Sequence, residues 1–229
     1  MAEAPPCAGD VPRGTMDEAQ ARIWVEQEFH VPRETMARLD AFADLLREEN
    51  QRQNLVSRAS LEEVWVRHIA DSAQLLAFAP SPAASWVDLG SGAGFPGLVV
   101  AALHRGPVTL VEERRLRADF LGRAAAALGV EVEIAATRAE RMAPRPFDVI
   151  SARAFAPLAR LLELGTGFST KNSLWVLPKG RNAAQELEAL DPSWQGEFRL
   201  EPSLTDPQAR IIVASGVYRK AKHDPHRSR

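Results

Sequence analysis

The chain has 229 residues, of which 45% are hydrophobic and 25% charged, with a formal net charge of −2. That is globular composition, and the length suits one core domain with a small appendage. The near-neutral balance excludes a global basic field, so any nucleic-acid partner must be met by a local patch.

Residues 1–14 are rich in Pro, Gly and Ala and are expected to be a disordered tail. They hold the single cysteine, Cys7, which excludes a disulfide framework and a cysteine-based zinc cluster and suits a reducing cytoplasm. The start MAEAPPCAGD lacks the basic region of a signal peptide, and no apolar run reaches the ~18 residues of a membrane span. The expectation is a cytoplasmic, monomeric protein with no membrane and no metal. Residues 15–84 read as an N-terminal helical cap. Thr15-x-x-Glu18 is a capping box ahead of a helix over Ala21–Phe29, and Val31-Pro32 breaks it. Met36, Leu39, Phe42 and Leu46 recur at helical spacing and predict a second helix to about Asn50. Asn54–Ser57 is a polar turn. Ser60-x-x-Glu63 is a second capping box, predicted to open a third helix, Leu61–Phe78. On it Arg67 and Asp71 stand at i and i+4, where they can simply pair. His68 is either a structural core histidine or a site residue. Pro80–Ser85 is a linker.

From residue 85 to 218 strands and helices alternate. Strands are predicted at Trp86–Leu89, Val108–Glu112, Glu131–Ala135, Phe147–Ser151 and Leu174–Leu177. Helices are predicted at Leu98–Leu103, Arg115–Leu128, Leu158–Leu164 and Ala183–Leu190. Two late strands, Phe198–Leu204 and Ile211–Tyr218, flank a Thr-Asp-Pro-Gln turn. The alternation implies an α/β, Rossmann-like domain with a mostly parallel seven-stranded sheet covered on both faces. The last pair, with no helix between them, implies an antiparallel edge. Residues 219–229 form a basic tail, expected to be loose.

The first strand ends in WVDLGSGAGFPG, residues 86–97. Gly90, Gly92 and Gly94 either make only a tight turn or let a ligand lie on bare backbone. Asp88 either reaches a positively charged ligand group or holds the loop through its backbone N–H groups. It would repel a pyrophosphate, which argues against a dinucleotide. Glu112, at the end of the second strand, suits the two hydroxyls of a ribose, or is a solvated strand end. After the third strand, Arg138-Ala139-Glu140 is placed to pair with an adenine edge. An amino-acid head, a ribose diol and an adenine without phosphate describe S-adenosylmethionine. The absence of GxxxxGK[ST] excludes a P-loop.

The run RHIADS at 67–72, the turn DLGSGAGFPG at 88–97, SARAFAP at 151–157 and LPKG at 177–180, with Asn54–Ser57, resemble the RsmG (GidB) family over roughly residues 35–218. That family methylates N7 of a guanosine, position 527 by the usual rRNA count, in the decoding-centre loop of bacterial 16S rRNA. The resemblance implies a class I S-adenosylmethionine-dependent methyltransferase, with 16S rRNA or the small ribosomal subunit as partner. Carried over, Gly90 and Phe95 line the cofactor, Glu112 takes the ribose, Ala139 and Glu140 frame the adenine, and Arg153 sits beside the methyl-transfer centre. It also brings the helix carrying Arg67 and His68 over the site. One departure is Leu116, where such proteins often carry a base; Arg115 and Arg117 flank it.

Guanine N7 has a lone pair and no proton to lose, so such a reaction needs positioning and electrostatics rather than a general base. The tail cysteine rules out a covalent adduct, and no Asn/Asp-Pro-Pro-Tyr follows the fourth strand; Ser151–Phe155 stands there instead. Arg153 can bind guanine O6, a phosphate or the cofactor carboxylate, or can be a surface salt bridge. Phe155 either stacks on the target base or belongs to the core. Lys179 meets phosphate or water, and Asn54 contacts RNA or only makes its turn. The rivals are a methyltransferase acting on a small molecule, an NAD-type oxidoreductase, and a non-catalytic RNA-binding protein with this fold.

Overall fold

The computed structural model describes residues 16–220. The expectations for residues 1–14, Cys7, Thr15 and 221–229 lie outside the described residues. Helix α1 (Glu18–Glu28) begins three residues before the predicted Ala21, with Asp17 as its cap. Asp17 accepts from the Gln20 N–H, and the Gln20 side chain accepts from the Asp17 N–H. Glu18 is thereby left for another use. Helix α2 (Arg33–Gln53) buries Met36, Leu39, Phe42 and Leu46, as their spacing predicts, and stops at Asn54 in the left-handed region (φ 49°).

The predicted third helix is not one helix. Ser57, not Ser60, caps it: Ser57 is extended, and its Oγ accepts from the Ser60 N–H at 3.1 Å. Helix α3 (Arg58–Glu62) ends at Glu63, whose φ/ψ of −112°/46° leaves the helical region. A π-helical turn (Trp65–Ala70) follows, then α4 (Asp71–Ala73) and a 3₁₀ turn (Gln74–Phe78). Inside the π turn the bonds run i→i+5, so the α-helical rule that places i beside i+4 does not hold there.

The remaining elements are β1 (Trp86–Leu89), α5 (Gly97–Leu103), β2 (Val108–Val111), α6 (Arg115–Leu128), β3 (Glu133–Ala135), β4 (Val149–Ser151), α7 (Leu158–Gly165), β5 (Leu174–Lys179), α8 (Ala183–Glu188), β6 (Trp194–Pro202) and β7 (Arg210–Arg219). They form a seven-stranded sheet in the order β3-β2-β1-β4-β5-β7-β6. Strands β1 to β5 pair in parallel, with Trp86 opposite Val108 on one side and Val149 on the other. Strand β7 runs antiparallel between β5 and β6, so β6 is the edge. Arg219 is the last residue of β7, with its guanidinium 5.4 Å over the Trp194 ring, and not part of a loose tail.

Alternation along β1 sorts the cores. Trp86 joins Ala21, Val25, Leu39, Phe42, Leu46, Ile69, Leu98 and Phe120 in one apolar cluster. Val87 and Leu89 face the other way, onto Leu161, Leu162, Phe168 and Trp175. The N-terminal helices and one face of the sheet therefore share a single core. Strand order reverses between β1 and β4, and the crevice at their carboxyl ends is where such sheets bind ligands. Among the described residues no helix is long and apolar enough to cross a membrane.

Candidate active site

The glycine turn is pinned to its neighbour strand. Gly90 and Ser91 both donate to the Val111 carbonyl, at 2.8 and 3.0 Å. Gly90 and Gly92 take φ of 69° and 54°, a region costly for residues with a Cβ. Asp88 has no exposed surface. Its Oδ2 accepts from the Gly97 N–H at 3.2 Å, and its Oδ1 accepts from Ser151 Oγ at 2.8 Å. Ser151 in turn accepts from Trp86 Nε1. Burial pushes the Asp88 carboxyl up to about 6, against the bonds from Ser151, Ser91 and Gly97. Of the two uses open to Asp88, the structure shows the second: its carboxylate holds the loop.

Glu112 is nearly buried and also works on the loop. Its Oε2 accepts from the Gly92 N–H at 3.0 Å and its Oε1 from the Arg114 N–H at 2.8 Å. It is not a solvated strand end. Ala139 is buried in the second core, and Glu140 pairs with Arg160 at 2.6 Å. Asn54 is exposed and caps α2. These residues do not line the main cavity.

That cavity, of about 1010 Å³, opens at the carboxyl ends of β1 and β4. It brings together Gly90, Gly92, Phe95, Arg67, His68, Arg153, Phe155 and Lys179 from four separate stretches of sequence. Its floor is a stack. The His68 ring lies on Phe95 with centroids 4.8 Å apart and planes 21° from parallel, and the Arg153 guanidinium sits 5.1 Å from the same phenyl ring. Arg153 Nη2 is 2.8 Å from His68 Nδ1, and Nη1 donates to the Arg67 carbonyl at 2.9 Å and to Asp71 Oδ2 at 3.4 Å. A guanidinium only donates, so Nδ1 accepts and the ring proton stands on Nε2. His68 Nε2 is buried and has no partner among the described residues. Burial, then Arg153 and Arg67, push the imidazole down to about 3. The side chain of Arg153 is 20% exposed; burial lowers its pKa against the pull of Asp71.

The expected Arg67–Asp71 pair does not form, because the π turn rotates the two apart. Arg67 pairs with Asp206 at 3.2 Å. Asp71 takes Arg153 on one oxygen, and Thr205 Oγ1 and Gln74 Nε2 on the other at 2.8 and 2.9 Å. Thr205 and Asp206 belong to the turn between β6 and β7. Their role was invisible in the sequence, where Thr-Asp-Pro-Gln reads only as a turn.

Lys179 is not a solvated lysine. Its Nζ donates to the Ala156 carbonyl at 3.0 Å and pairs with Glu186 at 2.9 Å. The same Glu186 oxygen accepts from the Leu158 N–H at 2.8 Å. Lys179 thus clamps the loop after β4 from the cavity wall. In that loop Ala154 has a φ of 50°, and Phe155, 38% exposed, lays its ring on Gly90. A Cβ on Gly90 would stand 2.2 Å from Phe155 Cδ2. At the rim Leu116 is 68% exposed, and Arg114, Arg115 and Arg117 make no ion pair among the described residues. Among the described residues no group of three His, Cys, Asp or Glu side chains could hold a metal ion.

Chemically, the floor offers donors and no base. The only lone pair of the His68 ring is taken by Arg153, and Asp71, Asp206 and Glu186 are each engaged by cations or N–H groups. Such a site can orient a ligand through its donors, and among the described residues it offers no imidazole free to remove a proton.

The family model for rRNA small subunit methyltransferase G (GidB) matches residues 35–205. The chain belongs to this family. It is 49% identical over 213 residues to ribosomal RNA small subunit methyltransferase G of Zymomonas mobilis subsp. mobilis, covering 90% of this chain and 96% of that one. It is 52% identical over 212 residues to the same-named protein of Rhizorhabdus wittichii, covering 91% and 97%. A solved mutant of MtNAS in complex with S-adenosylmethionine shares the fold, with a TM-score of 0.55 at 16% identity over 90% of this chain and 85% of that one. The family's fold is the class I, Rossmann-like methyltransferase fold. Arg67, His68, Asp71 and Arg153 all fall inside the matched residues; α1 falls outside them.

Proposed function

We propose that this family member transfers the methyl group of S-adenosylmethionine to N7 of a guanine in bacterial 16S rRNA, at position 527. One observation carries the reading: at the cavity floor an arginine occupies the only lone pair of a neutral histidine, the group that would otherwise serve as base. Guanine N7 attacks through a lone pair that carries no proton. A site without a general base is sufficient for it and insufficient for acceptors that must be deprotonated.

The residues present fit the cofactor. S-adenosylmethionine, when bound, supplies an electrophilic methyl group on a sulfonium. Gly92 presents bare backbone, Gly90 does so once Phe155 is lifted from it, and Phe95 gives an apolar floor. Glu112 keeps lone pairs for ribose hydroxyls while holding Gly92. Ala139 and Glu140 frame the adenine on this reading. Asp88 keeps the turn in shape from behind. Arg153 orients guanine O6, a phosphate or the cofactor carboxylate with Arg67 beside it, and Phe155, lifted from Gly90, stacks on the target base. Asn54 and the unpaired Arg114, Arg115 and Arg117 lie toward the RNA, which would follow the rim by its phosphates.

The test is transfer of labelled methyl from the cofactor to undermethylated small subunits and to naked 16S rRNA, with the product mapped. The expected product is 7-methylguanosine at one site. Label on a base carbon or an exocyclic amine, or tight NAD(H) binding with none for S-adenosylhomocysteine, would contradict it.

A further inference from the structure

The π turn that carries Arg67 and His68 has no side-chain cap from its own neighbourhood. Its exposed N–H groups are taken from far away. Glu18 Oε2 accepts from the Trp65 N–H at 3.1 Å, and Oε1 accepts from the Val66 N–H at 2.8 Å. Glu18 stands in the first turn of α1, where an acid is ordinarily explained by the helix dipole alone. Here both carboxylate oxygens are turned onto another segment. The consequence reaches the cavity through backbone. Trp65 and Val66 immediately precede Arg67 and His68, and the Arg67 carbonyl accepts from Arg153. Helix α1 is also docked by buried Ala21 and Val25 and by Arg22, which pairs with Asp40 at 2.8 Å and lies 5.4 Å over the Trp65 ring.

We propose that Glu18 is a positioning residue for the reaction: its carboxylate sets the start of the π turn and so the placement of Arg67 and His68 against Arg153. The proposal rests on the methyl-transfer reading for its kinetic effect. It also assigns a role to a helix outside the residues that match the family model. Winding that departs from the α-helix recurs at functional sites, and it persists only where the surroundings enforce it.

The experiment compares Glu18→Ala, Glu18→Gln and Arg22→Ala in the full chain. It reads kcat and KM for methyl transfer to rRNA, the thermal midpoint, and the ¹⁵N shifts of the His68 ring. Glu18→Ala is expected to lower kcat roughly tenfold or more with KM for rRNA nearly unchanged, since small misplacements of reacting groups are costly. The His68 Nδ1 resonance is expected to move as its bond to Arg153 changes. Glu18→Gln keeps one acceptor oxygen and is expected to fall between. Arg22→Ala, which loosens α1 without touching the two N–H groups, is expected to lower the midpoint while leaving kcat and the His68 shifts in place. Wild-type kcat and shifts in both Glu18 variants would overturn the proposal. So would an Arg22→Ala variant that reproduces both losses. If Glu18→Ala does not fold, Glu18→Gln decides. If the wild-type protein transfers no methyl to rRNA, the function reading fails, and the His68 shifts still decide the role of Glu18.

Discussion

His68 and Arg153 have to be considered as one object. The guanidinium fills the lone pair of the imidazole through Nη2, while its Nη1 is held by the Arg67 carbonyl and Asp71. Because the folded His68 pKa lies near 3 and the ordinary value is 6.5, the unfolded chain binds the proton first. This contribution to stability is therefore fully present above about pH 6.5 and is lost as pH falls from there toward 3. Between pH 4 and 6 it is opposed by Asp88, whose raised value makes the folded state the better proton binder, so that its term weakens the fold as pH rises through that window. The His68 ring is expected to show no titration between pH 5 and 8 by NMR; an inflection near 6.5 would mean the ring is not held as described. Arg153→Lys keeps the charge but loses the fork that reaches His68, Asp71 and the Arg67 carbonyl together. It is expected to lower kcat for methyl transfer by at least tenfold, measured in single turnover, with Arg153→Ala lower still. Of this pair the sequence showed the members and not the bond. Arg153 at the end of β4 and His68 in RHIADS were both legible as site residues, but nothing local joined positions 85 residues apart.

At the scale of elements, three devices hold the site open and in shape. Asp88 and Glu112 fasten the glycine turn from below. Asp206, Thr205 and Gln74 tie the π turn to the β6–β7 hairpin. Lys179 and Glu186 clamp the loop after β4. Lys179→Met removes the cation from Glu186 and frees the Ala156 carbonyl. It is expected to cost about 1–3 kcal/mol, by denaturant unfolding, and to lower methyl transfer through a looser Arg153–Phe155 segment. Strands, crossover helices and the glycine turn were legible here, because apolar period and Gly/Pro punctuation are local signals. The winding of residues 58–78 was not. A capping box at Ser60 and a continuous apolar pattern predict one helix, while the break is set by a carboxylate from Glu18, 47 residues upstream of Trp65. The partners of Lys179 were hidden for the same reason: they lie across a loop and a helix whose packing the sequence does not display.

For the whole molecule, the N-terminal helices are part of the sheet's own core as well as a cover for the cleft. Phe42 meets Phe95 at 5.3 Å between ring centroids, so the residue that floors the cavity is itself supported from α2. A fragment beginning at Trp86 would expose Trp86, Leu98, Val99 and Phe120 to water. It is expected to lack a cooperative thermal transition by circular dichroism, at a loss of roughly 1.5–3 kcal/mol for each such side chain uncovered. A fragment that melted cooperatively near the full chain's midpoint would show the helices to be a separable cap. The alternation of strands and helices, the parallel sheet and its antiparallel edge were all readable from the chain; the sharing of one core across the Pro80–Ser85 linker was not.

The claim that joins these scales is that the cleft works by placed donors and charge, with no group that must lose a proton. Single-turnover methyl transfer to rRNA, followed as a function of pH, tests it most directly. Between pH 6.5 and 8.5 the rate is expected to be flat, because the His68 lone pair is taken and the carboxylates at the cavity are engaged. A rate that rises tenfold per pH unit through that window would mean a base in the cleft, and would contradict the account.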